Sequence, residues 1–358
     1  MMNDRLGKVR KIMPEKALDG LIITGRANTY YLSGFSGSTS YLLIGREKAW
    51  LVVDFRYTIQ AKNQVFEGIE VVEHADSFYA TLDGILAEEG MGVIGFDGNQ
   101  LTYSEFERFK TKLPHVRRLE DIGHAIDLLR IRKDEGEIEA IAQAVKLGDQ
   151  VFEQILKVIK PGMTESELAA EIEYRMRKLG ASGPSFATIV AAGERSAMCH
   201  AVPTENKLKP GDALVLDFGV IYRHYCSDMT RTIFIGDPGE EMKKIYRIVL
   251  DAQLAALEHL HSGMKASDAD KVARDIIARA GYGAHFGHSL GHGVGIEIHE
   301  EPRLSVKSED ILQDGMVFSV EPGIYVEGLG GVRIEDMVVL VDGKPRNLTG
   351  STKDMIIL

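Results

Sequence analysis

A chain of 358 residues exceeds one ordinary core and suits two domains of roughly 100–200 residues each. Hydrophobic residues at 44% and charged residues at 27% are ordinary globular values and exclude a disordered or fibrous chain. The 42 basic and 53 acidic residues leave a net charge of -11, which argues against a nucleic-acid or anionic-membrane surface and favours small-molecule or peptide partners.

The start, MMNDRLGKVRKIMPEK, lacks the apolar core of a signal peptide, and no later run approaches the roughly 18 apolar residues of a membrane span. Cys199 and Cys226, the only cysteines, form no CxxC pair; neither a disulfide framework nor a thiolate metal site is indicated, and a reducing cytoplasm is the expected location. From Leu21 to about Phe96 the apolar runs LIIT, YLLI, WLVVDF, EVVEH and VIGF alternate with turns and polar helical segments, as in a small α/β domain. The text then changes character in DIGHAIDLLRIRKDEGE, and a boundary near Leu129 divides the chain into domains 1–129 and 130–358.

Beyond the boundary, Ile138, Ile141, Ala142 and Val145 recur at helical spacing, which predicts a helix over 135–158 ended by Pro161-Gly162. Thr164 with Glu167 forms a capping-box pattern ahead of a second helix that carries Leu168, Ile172 and Met176 on one face. Further helices are expected over 240–260 and 267–280, and strands in DALVLDFGV, DMTRTIFI, MVFSVEPGI and GVRIEDMVVL. GDALVLDFGVIY and GMVFSVEPGIY each place an acid six residues after a glycine, with a turn and a second acid-bearing strand behind it. That pattern hints at an internal duplication.

A hairpin centred on Tyr222-Arg223 would set Asp217 across from Asp228, and Glu321 and Glu335 bracket a second, glycine-rich turn. Singly, each acid is more simply paired with a surface Arg or Lys. As a set on apolar strands, four buried carboxylates need counter-charge, and two divalent cations would match them. The segment HSLGHGVGIEIHE has histidines at i and i+4, as a zinc-binding helix would. However, Gly287, Gly291, Gly293 and Gly295 crowd the pair, no glutamate follows His288, and each interior glycine costs a helix about 1 kcal/mol. A loop entering a strand fits better, and in the strand GIEIHEE alternation would turn Glu297 and His299 toward a polar cleft. His200, at the end of the apolar run SFATIVAAG, is structural if taken alone.

The ordered motifs SFATIVAAGERSAMCHAVPT, KPGDALVLDFGVIYRHYCSDMTRT, HSLGHGVGIEIHEEP, VFSVEPGIY and GGVRIED resemble the Xaa-Pro peptidases, prolidase and aminopeptidase P, of the pita-bread metallopeptidase family. ANTYYLSGFSGS and DFRYTIQA are similar to the creatinase-type domain that precedes the catalytic domain in that group. The resemblance implies an α/β (α+β) fold, with a small creatinase-like N-terminal domain and a pita-bread catalytic domain carrying a pseudo-twofold repeat. It also implies a dinuclear site held by Asp217, Asp228, His292, Glu321 and Glu335. Asp228 and Glu335 would bridge, Asp217 would complete one metal, and His292 with Glu321 the other.

On the same basis His200, His288 and His299 contact substrate or support the ligands, and Arg333 orients Glu335. Glu321 doubles as a proton shuttle, while Arg303 and Tyr325 bind substrate, Arg303 through a dipeptide carboxylate; a plain surface arginine is an equal reading for Arg303. The donor set suits Mn²⁺ first, with Co²⁺, Zn²⁺ or Fe²⁺ as alternatives. The expected partners are proline-containing dipeptides or short peptides and a second copy of the chain. Two positions depart from the family pattern: His224 stands where a turn glycine is common, and Cys199 where a proline is frequent before His200. Prolidase and aminopeptidase P both stay open. Methionine aminopeptidase is disfavoured by the N-terminal domain, creatinase and a non-catalytic binding protein by the complete ligand set.

Overall fold

In the computed structural model, which describes residues 2–358, the five apolar runs of the N-terminal part become strands. They are β1 (Gly20–Ile23), β2 (Tyr41–Gly45), β3 (Ala49–Val53), β4 (Glu70–Glu73) and β5 (Val93–Phe96). A sixth, β6 (Arg118–Asp121), was not anticipated: it is an edge strand whose one apolar residue, Leu119, leaves no alternation to read. The sheet order is β4-β3-β2-β1-β5-β6, antiparallel at β1/β2 and β2/β3 and parallel elsewhere. Ile22, Leu43, Val52, Leu86 and Phe109 are buried together against it. These elements belong to a unit spanning Met1–Arg130, and the rest of the chain forms a second unit, Ile131–Leu358.

In the second unit the helices run Glu135–Ile155, Glu165–Lys178, Gly239–His259 and Ala266–Arg279. The capping box expected at Thr164 is present, its side chain accepting from Glu167 N while Glu167 reaches back to the Thr164 amide. The first helix carries a second such box at Asp134 and Glu137, which went unread in the charged run KDEGE. Its regular part stops at Ile155, three residues short of the expected end.

The strands are short. The first half of this unit holds β7 (Gly183–Pro184), β8 (Ile189–Ala192), β9 (Ala213–Asp217), β10 (Val220–Tyr222), β11 (Tyr225–Cys226) and β12 (Thr230–Phe234). The second half holds β13 (Gly291–Gly293), β14 (Glu300–Leu304), β15 (Val317–Val320), β16 (Gly323–Val326), β17 (Gly330–Arg333), β18 (Asp336–Val341) and β19 (Lys344–Asn347). In one half Val151, Phe152, Leu168 and Ile172 of two helices pack on Val190, Leu214 and Leu216. In the other, Tyr246, Val249, Ala273 and Ile277 of two helices pack on Phe318, Val320 and Val338. Each half is thus a helix pair laid over an antiparallel hairpin with an acid at the end of its first strand, Asp217 at the end of β9 and Glu321 directly after β15. This is the arrangement that the repeated GDALVLD and GMVFSVE texts suggest.

Glu165 shows how a loop without regular structure is held in this frame. Its carboxylate is fully buried and accepts from Ala192 N at 3.0 Å, Arg195 Nε at 3.0 Å, Thr204 N at 3.0 Å, Thr204 Oγ1 at 2.8 Å and Asn206 Nδ2 at 3.1 Å. Burial pushes the group's pKa up, but these donors outweigh it and hold the carboxyl below the ordinary glutamate range. The segment so pinned carries Cys199 and His200. Glu165→Gln, which turns an amide NH₂ toward this ring of donors, is expected to cost roughly 2–3 kcal/mol in urea unfolding at pH 7. Because the folded pKa lies below the ordinary 4.5, the loss is complete above that pH and narrows as the pH falls through the folded value. An unchanged unfolding midpoint at pH 7 would contradict the assignment.

Candidate metal centre

The first two acids are set by one unbroken register. Asp217 of β9 pairs with Thr230 of β12, Phe218 and Met229 exchange backbone hydrogen bonds at 3.1 Å, and the ladder runs on to Tyr222 opposite Tyr225. The turn is therefore centred on Arg223-His224, one position beyond the expected centre. Both residues hold positive φ, 47° and 69°, the pattern of a two-residue type I′ turn, so His224 accepts the backbone that glycine usually supplies. Asp217 consequently does not face Asp228: it faces Thr230, and Asp228 falls opposite Gly219, diagonal to Asp217 on the same sheet face. A Cβ on Gly219 would stand 1.8 Å from Ser227 O, so the tight approach at that position needs glycine.

In the second hairpin Val320 pairs with Asp336 and Gly323 with Arg333, which brings Glu321 opposite Glu335. Here the ladder opens. Glu321 N donates to Leu290 O at 2.8 Å, and Glu335 N to Thr230 O at 3.1 Å, which splices the second hairpin onto the first. The four carboxylates and His292 then share one cavity of about 440 Å³. Ligand atoms of Asp228, His292 and Glu335 all lie within 4.8 Å of one another, and His292 Nε2 is 3.5 Å from both Asp228 Oδ2 and Glu321 Oε1.

His292 sits in β13, flanked by glycines for a packing reason: a Cβ at Gly291 would meet Ser319 O at 1.9 Å and one at Gly293 would meet Glu301 O at 2.2 Å. The segment is not a helix, as the glycine density implies, but the strand falls at Gly291–Gly293, where a loop was expected. His292 Nδ1 lies 3.1 Å from the Gly293 carbonyl, which can only accept, so Nδ1 carries the proton and the Nε2 lone pair is turned to the carboxylates. Burial lowers its pKa to about 4, keeping the ring neutral.

The carboxylates are short of positive charge. Burial, then repulsion from neighbouring acids, drives Asp228 and Glu335 far above the carboxylate range; burial raises Asp217 against the pull of Arg333 and lifts Glu321 to about 7. Among the described residues, buried oxygens Asp217 Oδ1, Asp228 Oδ1 and Glu335 Oε1 have no hydrogen-bond partner. Hard carboxylate oxygens aimed into one space beside a neutral imidazole fit divalent cations and would repel an anion.

Around this set, several expected roles shift. Arg333 does not reach Glu335 directly. It pairs with Asp217 and donates from Nε to Thr230 Oγ1 at 2.9 Å, and Thr230 in turn donates to Glu335 Oε2 at 2.7 Å. Thr230 is thus the hinge of the acidic set, legible from its position two residues after Asp228 on the same strand face. Tyr325 does not line the cavity; its hydroxyl accepts from Arg333 Nη1 at 2.8 Å and lies 2.9 Å from His288 Nε2. His288 Nδ1 is 2.8 Å from the Ser289 carbonyl, so Nε2 accepts from Tyr325; burial lowers this histidine to about 4. The exposed His200 and His299 and the guanidinium of Arg303 line the cavity, Arg303 as the strand partner of His292. Residues 295–299 form a bend and not the expected strand, because β14 begins only at Glu300 and the pairing with β13 is shifted by a bulge after His292. The His299 ring nonetheless stands edge-on to His292, with centroids 4.5 Å apart. The remaining supports were not read from sequence: Ser319 Oγ bridges His292 N and Glu321, and Asp270 with Arg274 ties down Leu290 N and the Phe286 and His288 carbonyls.

Carboxylates from two hairpins and an imidazole from the neighbouring strand β13 form a metallohydrolase-type centre, and comparison with known proteins agrees. Residues 139–342 match metallopeptidase family M24 and residues 5–132 the creatinase/prolidase N-terminal domain. The Xaa-Pro dipeptidase of Pyrococcus furiosus is 40% identical over 99% of this chain and 100% of its own. A solved Xaa-Pro dipeptidase from Bacillus anthracis superposes with a TM-score of 0.97 at 39% identity, covering 100% of both chains. An X-Pro aminopeptidase from Thermotoga maritima superposes with a TM-score of 0.91 at 38% identity, covering 97% of this chain and 100% of that one. The chain belongs to metallopeptidase family M24.

Chelation followed by titration with Mn²⁺ is expected to raise the unfolding midpoint, by about 2.7 kcal/mol of added stability at a hundred times Kd. His292→Ala should weaken that shift and lower metal content, whereas His299→Ala should leave both intact; equal metal loss in the two variants would refute the division between them.

Proposed function

We propose that this chain is a dinuclear-metal Xaa-Pro dipeptidase, hydrolysing the bond between an N-terminal residue and proline. The observation that carries the reading is the set of three buried, unpartnered carboxylate oxygens converging with the His292 lone pair on a cavity of about 440 Å³, a size suited to a short peptide. Asp217, Asp228, His292, Glu321 and Glu335 would hold the cations; when bound, the ions would supply Lewis-acid polarisation and acidify water to near neutrality.

The chain's own residues supply the rest. Arg333 and Thr230 lock Asp217 and Glu335 before substrate arrives, so the site is organised in advance. His299, exposed at the cavity beside His292, is placed to donate to the oxyanion, and Glu321 is the group that would pass a proton to the leaving nitrogen. His200 and His288 both line the cavity, His288 with its Nε2 held by Tyr325. Proline's imide offers no N–H, so recognition rests on ring shape and on charge at the peptide's end. Arg303 lies opposite His292 on a paired strand, which fixes a short span between guanidinium and ligands. A free carboxylate bound at Arg303 therefore supports a two-residue substrate, as do the dipeptidase relatives.

The aminopeptidase reading keeps the same chemistry and is favoured by the likeness to the Thermotoga maritima enzyme. Mn²⁺ as working ion, a homodimer and a cytoplasmic location complete the proposal, the first supported by the oxygen-rich donor set. Ala-Pro and Ala-Pro-Ala are to be assayed after chelation and Mn²⁺ addition. Metal-dependent cleavage of Ala-Pro with little of the tripeptide is the expected result. Comparable cleavage of both moves the assignment to an aminopeptidase, and cleavage of neither removes the peptidase reading. Arg303→Ala should raise KM for Ala-Pro at least tenfold with kcat little changed.

A further inference from the structure

The bend at residues 295–299 brings His299 to the metal centre without a strand ladder of its own, so other groups must fix its course. One of them is a buried ion pair. Lys133 Nζ lies 3.0 Å from Glu300 Oε2, with side-chain exposures of 1% and 6%. The other oxygen of Glu300 accepts from Glu297 N at 3.1 Å, inside the bend. A Cβ at Gly295 would stand 2.4 Å from Glu300 Oε2, so the chain is folded tightly around this carboxylate.

We propose that Lys133 is a positioning residue for catalysis: through Glu300 it sets the 295–299 bend and thereby the place of His299 beside His292. The inference rests on the peptidase reading above. Lys133 is itself rooted. Its amide donates to Gly315 O at 2.7 Å, its ammonium also reaches Ile131 O at 3.3 Å, and the next residue, Asp134, caps the helix Glu135–Ile155. From the same helix start, Glu137 accepts from Tyr225 OH at 2.9 Å. Cys226 follows, donating from its amide to Gly295 O at 2.7 Å and from its thiol to Ile296 O at 3.5 Å. One helix N-terminus therefore grips the bend from two sides, and the second grip lies on the strand that leads into Asp228.

The pair's energetics favour this use. A buried ion pair is often no more stabilising than an apolar pair of equal volume, because both charges must be desolvated. What it supplies is direction: the Lys133 ammonium donates to Glu300 Oε2, and the carboxylate so held presents its other oxygen to Glu297 N. An apolar pair would fill the space and leave the bend free to choose among courses. The theme recurs at the site, since Glu165 with Arg195 pins the His200 segment and Asp270 with Arg274 pins the His288 segment.

The test uses the metal-loaded full chain. In Lys133→Met/Glu300→Gln, which removes both charges together, kcat on Ala-Pro should fall on the order of tenfold to a hundredfold, with KM and metal content within twofold of the unaltered protein. Lys133→Arg should recover most of the rate. In a His299→Ala background the same double substitution should lower kcat less than about twofold, because Lys133 acts through His299. A full additive loss there overturns the proposal. Hydrogen exchange of residues 294–300 should quicken at least tenfold in the double variant, and unchanged exchange also overturns it. That second measurement needs no turnover. Should the unaltered protein cleave no Xaa-Pro peptide, the functional reading falls by itself and the exchange result still decides the clamp. If the double variant does not fold, Glu300→Gln alone is read in the same way.

Discussion

The constraint on which the catalytic unit depends is electrostatic: three buried carboxylates and the partly buried Glu321 share one cavity and, among the described residues, the one side-chain cation hydrogen-bonded to them is Arg333. Without added positive charge such a set would protonate and lose its chemistry. The fold resolves the problem by geometry before any ion is bound. Acids come from the ends of strands backed by helices, so they cannot swing away to solvent. Arg333 and Thr230 satisfy some of their oxygens, and those left without partners point inward.

The histidines show how one residue type is given different work by its backbone. His292 and His288 each use Nδ1 on a neighbouring carbonyl and are kept neutral by burial, but their Nε2 atoms meet different surroundings. For His292 these are carboxylates, and the lone pair is left facing them, as a ligand would need. For His288 the partner is Tyr325 OH, and the ring becomes part of the chain His288–Tyr325–Arg333–Asp217 that braces the acids. Such a chain of hydrogen bonds transmits position more than charge, since its two inner members, Tyr325 and Arg333, are each held on both sides.

Much of this was legible in the sequence because apolar strands with a single terminal acid are rare enough to be noticed, and because the two halves repeat the pattern. Register was less legible. The turn at Arg223-His224 depends on which residues accept positive φ, and neither is a usual choice for that turn, so the expected centre fell one residue early and mispaired Asp217. GIEIHEE imitates a strand by alternation, yet a bulge after His292 and the folding of the chain around Glu300 take it out of the ladder. Three partners of Arg333 could not be read at all: Cys199, Asp217 and Thr230 lie more than a hundred residues away along the chain, and their pairing is decided by packing.

The duplication explains why the site lies at a seam. One hairpin can present two acids on a face, but closing a cage for cations needs ligands from more than one direction. Glu335 N donating to Thr230 O joins the hairpins at the point where their acids meet, and Arg231 braces that point from behind by donating to the carbonyls of Thr230 and Glu335. Arg231 is itself paired with the buried Asp336, which also accepts from Gln253 and Lys353. The charge balance of the acidic set is therefore echoed one layer deeper, where a carboxylate surrounded by cations and donors is held below its ordinary pKa although burial opposes it. Neighbouring acids, Glu335 directly before β18 and Asp336 its first residue, thus meet opposite fates. Alternation turns Glu335 to the cavity, where carboxylates are crowded, and Asp336 to the interior, where Arg231 and Lys353 wait; backbone geometry alone separates the cavity acid from the structural one.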